Sequence, residues 1–401
     1  MSSSAAPRHR PSEPPQGAPA GDFVSDPQVS DPQVADPERT DFTGTGVDRE
    51  RRRGRGAQSN AAGRYEPHAR EGFDDGWQSL EDLPPFQTTV ALDTARKVIT
   101  RNDSLDIPFD RSINPYRGCE HGCVYCFARP THAYMGLSPG LDFESKLFAK
   151  PDAPELLERE LAAPSYSPRV IAIGTNTDPY QPIERRYEIM RRILGVLERA
   201  GHPVGIVTKS ALITRDIDIL SRMAKRNLVK VAISVTTLDA KLARTMEPRA
   251  PTPSRRLDAL RQLGQAGIPT RVMIGPVIPA INDADIERIL DAAVAVGVSG
   301  AGYVLLRLPL EVRDLFREWL IANFPDREKH VFTLIRQMRG GKDYDAKWGE
   351  RMTGNGPYAW MIRRRFETAC ARLGLNQDRI ALTTEHFRPP SGRGGEQLSL
   401  F

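Results

Sequence analysis

A chain of 401 residues is long enough for one large domain or two smaller ones, and with 39% hydrophobic residues it can bury a sizeable core. Four cysteines, three of them packed together, exclude a disulfide framework and point to metal or cofactor binding in a reducing compartment. No run approaches the roughly 18 apolar residues of a membrane span, and no apolar leader follows Met1, so a cytoplasmic protein without membrane contact is expected. The net charge of +5 permits a nucleic-acid partner without requiring one.

Residues 1–75 read as a disordered polar tail. They are rich in Pro, Gly, Ser, Asp and Arg, and carry a short repeat through Asp26-Pro27-Gln28-Val29, Asp31-Pro32-Gln33-Val34 and Asp36-Pro37. Such a stretch buries too little apolar surface to offset its ordering entropy. Arg49, Arg51, Arg52, Arg53 and Arg55 form a basic patch broken by glycines, readable as a solvated tail or as a phosphate-binding arm. A lead-in segment occupies 76–110, with order beginning near Trp77.

From 111 to 325 short apolar runs alternate with helical patterns. The runs are Ser112–Pro115, Val170–Ile173, Val204–Val207, Val231–Val235, Arg271–Ile274 and Tyr303–Leu306. Between them Met190, Ile193, Leu194 and Leu197 recur at helical spacing. So do Ile286, Ile289, Leu290 and Ala293, and again Val312, Leu315, Phe316 and Trp319. Gly201-His202-Pro203 and Gly267-Ile268-Pro269 stop helices before the third and fifth runs. The expected fold class is α/β, a partial (β/α)6 barrel of parallel strands, with the disordered N-terminal tail before it and a helical basic extension after it. Ligands bind such sheets at the C-terminal ends of the strands.

Cys119, Cys123 and Cys126 follow the first run in the spacing C-x3-C-x2-C, with Tyr125 before the last cysteine. The remaining cysteine, Cys370, lies far away in a helical pattern and reads as a small buried apolar residue. Three thiolates without a nearby fourth can hold three corners of a [4Fe–4S] cluster and leave one iron open. The alternative is a structural zinc, with His121 or His132 completing a Cys3His set.

This cysteine motif, placed after the first of six β/α units, resembles the radical S-adenosylmethionine (SAM) superfamily over roughly 111–324. The resemblance implies a [4Fe–4S] cluster whose open iron binds the amino and carboxylate groups of SAM. It also implies that one electron cleaves the sulfonium bond to give a 5′-deoxyadenosyl radical, and that a reductant such as flavodoxin or ferredoxin supplies the electron. Tyr125 is then expected beside the adenine. Asn176, Thr177 and Asp178 stand where many members carry a Gly-Gly-Glu motif for the SAM amino group, and otherwise read as a turn. Lys209 is a candidate partner of the SAM carboxylate, or an exposed lysine at a strand end. Ser234 is a candidate for the ribose or carboxylate, or a core serine. Val277 and Ile278 are candidates to flank the adenine, or ordinary loop packing.

Asn114-Pro115-Tyr116-Arg117-Gly118-Cys119, the stretch 174–182 and Thr208-Lys209-Ser210 resemble the branch that includes spore photoproduct lyase. That implies a DNA substrate and repair lyase chemistry. The lyase, however, uses a further cysteine within its barrel as hydrogen donor, and no cysteine lies between Cys126 and Cys370 here. Modification of RNA or a peptide remains open, as does a zinc-stabilised nucleic-acid-binding protein.

The extension, 326–390, concentrates Arg336, Arg339, Lys342, Lys347, Arg351, Arg363, Arg364 and Arg365, interleaved with Tyr344, Trp348, Tyr358 and Trp360. It reads as a surface for phosphates and unpaired bases, or as a solvated face with some core aromatics. The final segment, 391–401, ends in Gln397-Leu398-Ser399-Leu400-Phe401 after a glycine-rich linker. This pentapeptide resembles the bacterial sliding-clamp-binding motif and is otherwise a frayed end.

Overall fold

A computed structural model describes residue 47 and residues 49–66, 85–377 and 381–390. The expected onset of order at Trp77 and the terminal motif Gln397–Phe401 lie outside the described residues. In chain order the strands are β1 (Thr89–Leu92), β2 (Ile99–Arg101), β3 (Arg111–Ile113), β4 (Tyr116–Arg117), β5 (Lys146–Ala149), β6 (Ile171–Ile173), β7 (Val204–Thr208), β8 (Val229–Ser234), β9 (Thr270–Val277) and β10 (Gly300–Leu305).

Seven of these form one sheet in the order β10-β9-β8-β7-β6-β3-β2. The six runs read from the sequence are its six parallel strands, with Ser112 opposite Ala172, Ala172 opposite Gly205, Gly205 opposite Lys230 and Ala232 opposite Arg271. Only β2, on the β3 edge, runs antiparallel. β1, β5 and β4 make a separate small sheet.

The two faces of the large sheet differ in chemistry. Ile171, Ile173, Val204, Ile206, Val231, Ile233, Val272 and Ile274 point one way and are at most 1% exposed. They pack on the helices Ile189–Arg199 and Ile286–Ala295, each burial worth about 1.5–3 kcal/mol. The other face carries Ala172, Gly205, Ala232, Ser234, Gly300 and Gly302. A closed eight-stranded barrel fills its interior with bulky branched residues; here the small residues alternate across the strands with Lys230, Arg271 and Met273. The long side chains on this face lie over glycines. A Cβ at Gly300 would sit 3.0 Å from Arg271 Cγ, and one at Gly205 would sit 3.8 Å from Lys230 Cε.

The glycine stops work as the sequence suggests. Gly201 takes φ +60°, and His202 N–H donates to the Leu197 carbonyl at 2.9 Å, turning the chain into β7. Helices Glu328–Met338 and Gly356–Arg372 form the extension. Between them the chain crosses from one sheet edge towards the other. Leu305 N–H of β10 donates to the Met352 carbonyl, and Arg351 makes a bidentate pair, 2.6 and 2.7 Å, with Asp106 in the β2–β3 connection.

Of the polar tail expected over residues 1–75, residue 47 and residues 49–66 alone lie within the described residues, and for these the expectation is corrected. Residues 49–66 pack into the folded unit. Arg55 is buried, donating to the carbonyls of Glu144 and Phe86 and to Thr88 Oγ1. Composition hides this because the segment is held largely by hydrogen bonds, with Ala57 as its fully buried apolar contact.

Candidate iron–sulfur and SAM site

β3 leads through Asn114 and Pro115 into β4 and then the cysteine loop. Gly118 takes φ +71°, and a Cβ there would come within 2.9 Å of both His132 and the Phe143 carbonyl. Only glycine permits so close a passage in that conformation. Gln181, from the loop after β6, clamps the turn: its Nε2 donates to the Gly118 carbonyl at 3.1 Å and its Oε1 accepts from Glu120 N–H at 2.9 Å. Arg129 is fully buried and donates to the carbonyls of Gly122, Cys123, Pro139 and Gly140. Its charge is met by Glu144 at 2.5 Å, and Glu144 in turn accepts from the N–H groups of Gly56 and Ala57. Losing one partner of such a pair costs about 3–5 kcal/mol. The loop's shape therefore depends on buried polar groups far apart in sequence.

Cys119 and Cys123 are buried and Cys126 half-buried, at the C-terminal edge of the parallel strands. Burial pushes all three thiols up. Asp178 and the other two cysteines add to the effect at Cys119; Cys123 is pushed up to about 12. The three sulfurs thus lie within one another's field, and ligation must replace their protons with a positively charged centre. Lys209 and Arg256 pull Cys123 back down, and Arg129 and Lys209 do so for Cys126.

The residues fit an iron–sulfur cluster. Cys370 is buried in the main core, on the helix Gly356–Arg372, so three cysteines are available at this edge. Zinc fits less well. His121 Nδ1 lies 3.4 Å from Asp178, and His132 Nε2 is 2.9 Å from the Lys146 carbonyl, its Nδ1 buried without a polar partner. A zinc ion holds its sulfurs about 2.3 Å from a shared centre, whereas a cluster offers each thiolate its own iron.

Around the cysteines the structure gathers much of the set proposed for SAM. Lys209, at the end of β7, places Nζ 5.6 Å from the Tyr125 ring centroid. Burial opposes its charge, but Cys123 and Glu247 outweigh that and raise its pKa. The Tyr125 hydroxyl donates to Glu247, which also pairs with Arg256 and accepts from Thr236 Oγ1. Burial pushes the Glu247 carboxyl up; Arg256 and Lys209 prevail and hold it below its ordinary value. Ile278 packs in the same apolar cluster as Cys123 and Tyr125, whereas Val277 belongs to the main core.

Of the three residues after β6, Asn176 alone keeps its side chain free of hydrogen bonds among the described residues. Its N–H donates to Asn114 Oδ1. Thr177 donates to the Tyr116 carbonyl. Asp178 accepts from Thr208 Oγ1, from the N–H groups of Lys209 and Tyr180, and faces His121. Burial works against this charge, yet His121 and these donors hold Asp178 down at about 2. Ser234 lies on the inner face of the sheet, opposite Met273, and its carbonyl accepts from Arg256. The sequence signals missed Arg129, Glu144, Gln181, Glu247 and Arg256, since a buried polar network has no periodicity to betray it.

The basic extension is mostly neutralised. Arg336 pairs with Asp343, Lys347 with Glu350, Arg351 with Asp106, Arg364 with Glu367 and Arg365 with Glu287. Arg339 is buried on the carbonyls of Leu306 and Glu350. Trp348 and Trp360 are exposed, while Tyr358 donates to Asp283.

Comparison with known proteins bears on the same region. A family model of the Radical SAM superfamily matches residues 113–293. An uncharacterised protein of Mycobacterium tuberculosis is 38% identical over 233 residues, covering 58% of this chain and 68% of its own. One from Methanocaldococcus jannaschii is 28% identical over 173 residues, covering 43% and 62%. Among solved structures, spore photoproduct lyase complexed with dinucleoside spore photoproduct superposes with a TM-score of 0.51 at 14% identity, over 71% of this chain and 80% of that one. At that identity the likeness is one of fold.

Proposed function

Because this chain belongs to the radical SAM superfamily, whose members use a [4Fe–4S] cluster and SAM, we propose that it is a radical enzyme acting on DNA, in repair of the lyase kind. The observation that carries the reading is the set of three thiols, two buried and one half-buried, at the ligand edge of a six-stranded parallel array, with Lys209 beside Cys123 and Tyr125. When bound, the cluster and SAM supply one-electron cleavage of the sulfonium bond and the hydrogen abstraction that follows.

The chain's own groups bind, orient and shield. Cys119, Cys123 and Cys126 hold the cluster. Lys209 meets the SAM carboxylate as a fixed positive charge. Asn176 offers an uncommitted amide to the SAM ammonium. Tyr125, fixed by its bond to Glu247, and Ile278 flank the adenine. Asp178 and Thr177 act behind these, holding the loop that carries Asn176. A reductant such as flavodoxin or ferredoxin would supply the electron.

Support for DNA comes from the motifs 114–119, 174–182 and 208–210, which resemble those of the spore photoproduct lyase branch. An extruded nucleotide would enter over the inner face, where Ala172, Gly205, Ala232 and Gly302 keep side-chain bulk low. The terminal Gln397–Phe401 motif would tether the enzyme to the sliding clamp. The test is anaerobic purification with iron and sulfide analysis, then reduction with SAM in the presence and absence of lesion-bearing DNA. Iron and sulfide at about four each and DNA-stimulated 5′-deoxyadenosine support the reading. Zinc in their place, or 5′-deoxyadenosine stimulated by RNA or peptide alone, removes it.

A further inference from the structure

Arg307 follows β10 at the same strand edge as the cysteines, and its surroundings are unlike those of the paired arginines. Its guanidinium lies 4.8 Å from the ring centroid of Phe127, the residue directly after Cys126. Nη2 donates to Tyr344 Oη at 3.3 Å, and Nη1 approaches Met352 Sδ at 3.8 Å. Nε is buried and has no hydrogen-bond partner. No carboxylate lies within ion-pair distance of Arg307 among the described residues, and a second cation, Arg339, stands within its field. Asp345, which acts on Arg339, turns an oxygen to the N–H of Lys347.

A half-buried guanidinium without a counter-ion, next to a second cation, is an anion site waiting for its ligand. The SAM carboxylate does not fit that role. Lys209 leaves β7 and reaches the Tyr125 ring, whereas Arg307 leaves β10, three strand steps or about 14 Å of backbone away, and reaches the Phe127 ring, so the SAM carboxylate is assigned to Lys209. Arg307 therefore addresses a second anionic group. Phe127 is 42% exposed, with one face taken by Arg307. Its remaining surface is free to stack on a planar group. A cation beside an exposed ring is the pairing that holds a phosphate and its neighbouring unpaired base.

We propose that Arg307, seated on Phe127, binds a backbone phosphate of the nucleic-acid substrate while Phe127 stacks on the adjacent extruded base. The proposal rests on the DNA reading above and assigns it a recognition site. Met352 and Tyr344 belong to the segment that Arg351 fastens to Asp106, so the same crossing holds the guanidinium in place.

The test is fluorescence anisotropy of a labelled single-stranded DNA hexamer, across a salt series, with full-length anaerobically purified protein. Arg307→Gln is expected to weaken binding on the order of tenfold and to reduce the slope of log affinity against log salt by about 0.7, one phosphate's share. Arg307→Met, which keeps the stem on Phe127, takes its place if the first variant fails to melt cooperatively. Arg222→Gln, an exposed arginine paired with Glu198 on the outer helix Ile217–Ala224, should bind with the affinity and slope of the wild type. A hexamer with neutral methylphosphonate linkages should bind wild type weakly and lose nothing further in the Arg307 variant.

Unchanged affinity and slope in the variant, or equal loss on the neutral probe, overturns the phosphate site while leaving the DNA reading intact. Binding of an RNA hexamer but not DNA, with the slope loss retained, upholds the site and removes the DNA reading. Failure of wild type to bind either strand overturns both.

Discussion

Lys209 keeps its proton although burial opposes it, because Cys123 and Glu247 stand within its field. Replacing it with methionine removes that charge without much change in bulk. A charge-assisted contact is worth about 1.5–3 kcal/mol, so Lys209→Met should lower SAM affinity on the order of ten- to a hundredfold by calorimetric titration, with iron content retained. His202 illustrates a structural histidine. It is fully buried, bonded to Tyr166 Oη at 2.7 Å, and burial lowers its pKa to about 4 from an ordinary value near 6.5. Between those values the unfolded chain takes up a proton that the folded chain refuses. Its contribution is therefore fully present above about pH 6.5 and is lost as pH falls towards 4. Melting temperature should drop over that window, with a shallower drop in His202→Leu. At this scale the motif spacing and the family resemblance single out the cysteines, Tyr125, Lys209 and Ile278 as candidates, and the fold brings Lys209 and Ile278 to the side of Tyr125. Glu144 was not legible, because its partners Gly56 and Ala57 lie 88 and 87 residues away and leave no local pattern.

The strands show where periodicity succeeds and where it stops. Outer positions such as Ile171, Val231 and Ile233 announce themselves as β-branched runs, and all six parallel strands stand where those runs do. The inner face gives a weaker signal, since Ala172, Gly205 and Ala232 read equally well as filler. Only the pairing of strands shows that they share one face. Ala232→Phe tests whether that face is open. With room over it, overpacking should cost no more than about 1–3 kcal/mol, read as a modest shift in melting temperature. Ligand binding should fall at least tenfold if the ligand binds there. A collapse of stability instead would mean that the face is already filled.

Over the whole molecule, the segment 49–66 changes what counts as the enzyme. Composition marks it as tail, yet it supplies two N–H donors to the buried Glu144 carboxylate, and Asn60 exchanges hydrogen bonds with Asp142. Bonds to a buried charged group are worth about 1.5–3 kcal/mol each. Removing residues 1–66 should therefore loosen the cysteine loop, with loss of iron on gel filtration and a fall in melting temperature. Retention of both would return the segment to the tail. At the opposite end, the chain between Arg339 and Gly356 joins the two sheet edges through Arg351 and Asp106, so the extension serves to close the half barrel more than to display charge. No helix among the described residues is long and apolar enough to cross a membrane.

The most direct test of the account is isotopic. Lesion-bearing DNA deuterated at the reacting sugar and base positions would be incubated with the reduced, SAM-loaded enzyme, and the 5′-deoxyadenosine recovered for mass spectrometry. The account predicts a gain of about one mass unit that disappears when Cys119, Cys123 or Cys126 is replaced by alanine. Unlabelled 5′-deoxyadenosine, formed at the same rate with and without DNA, would contradict it.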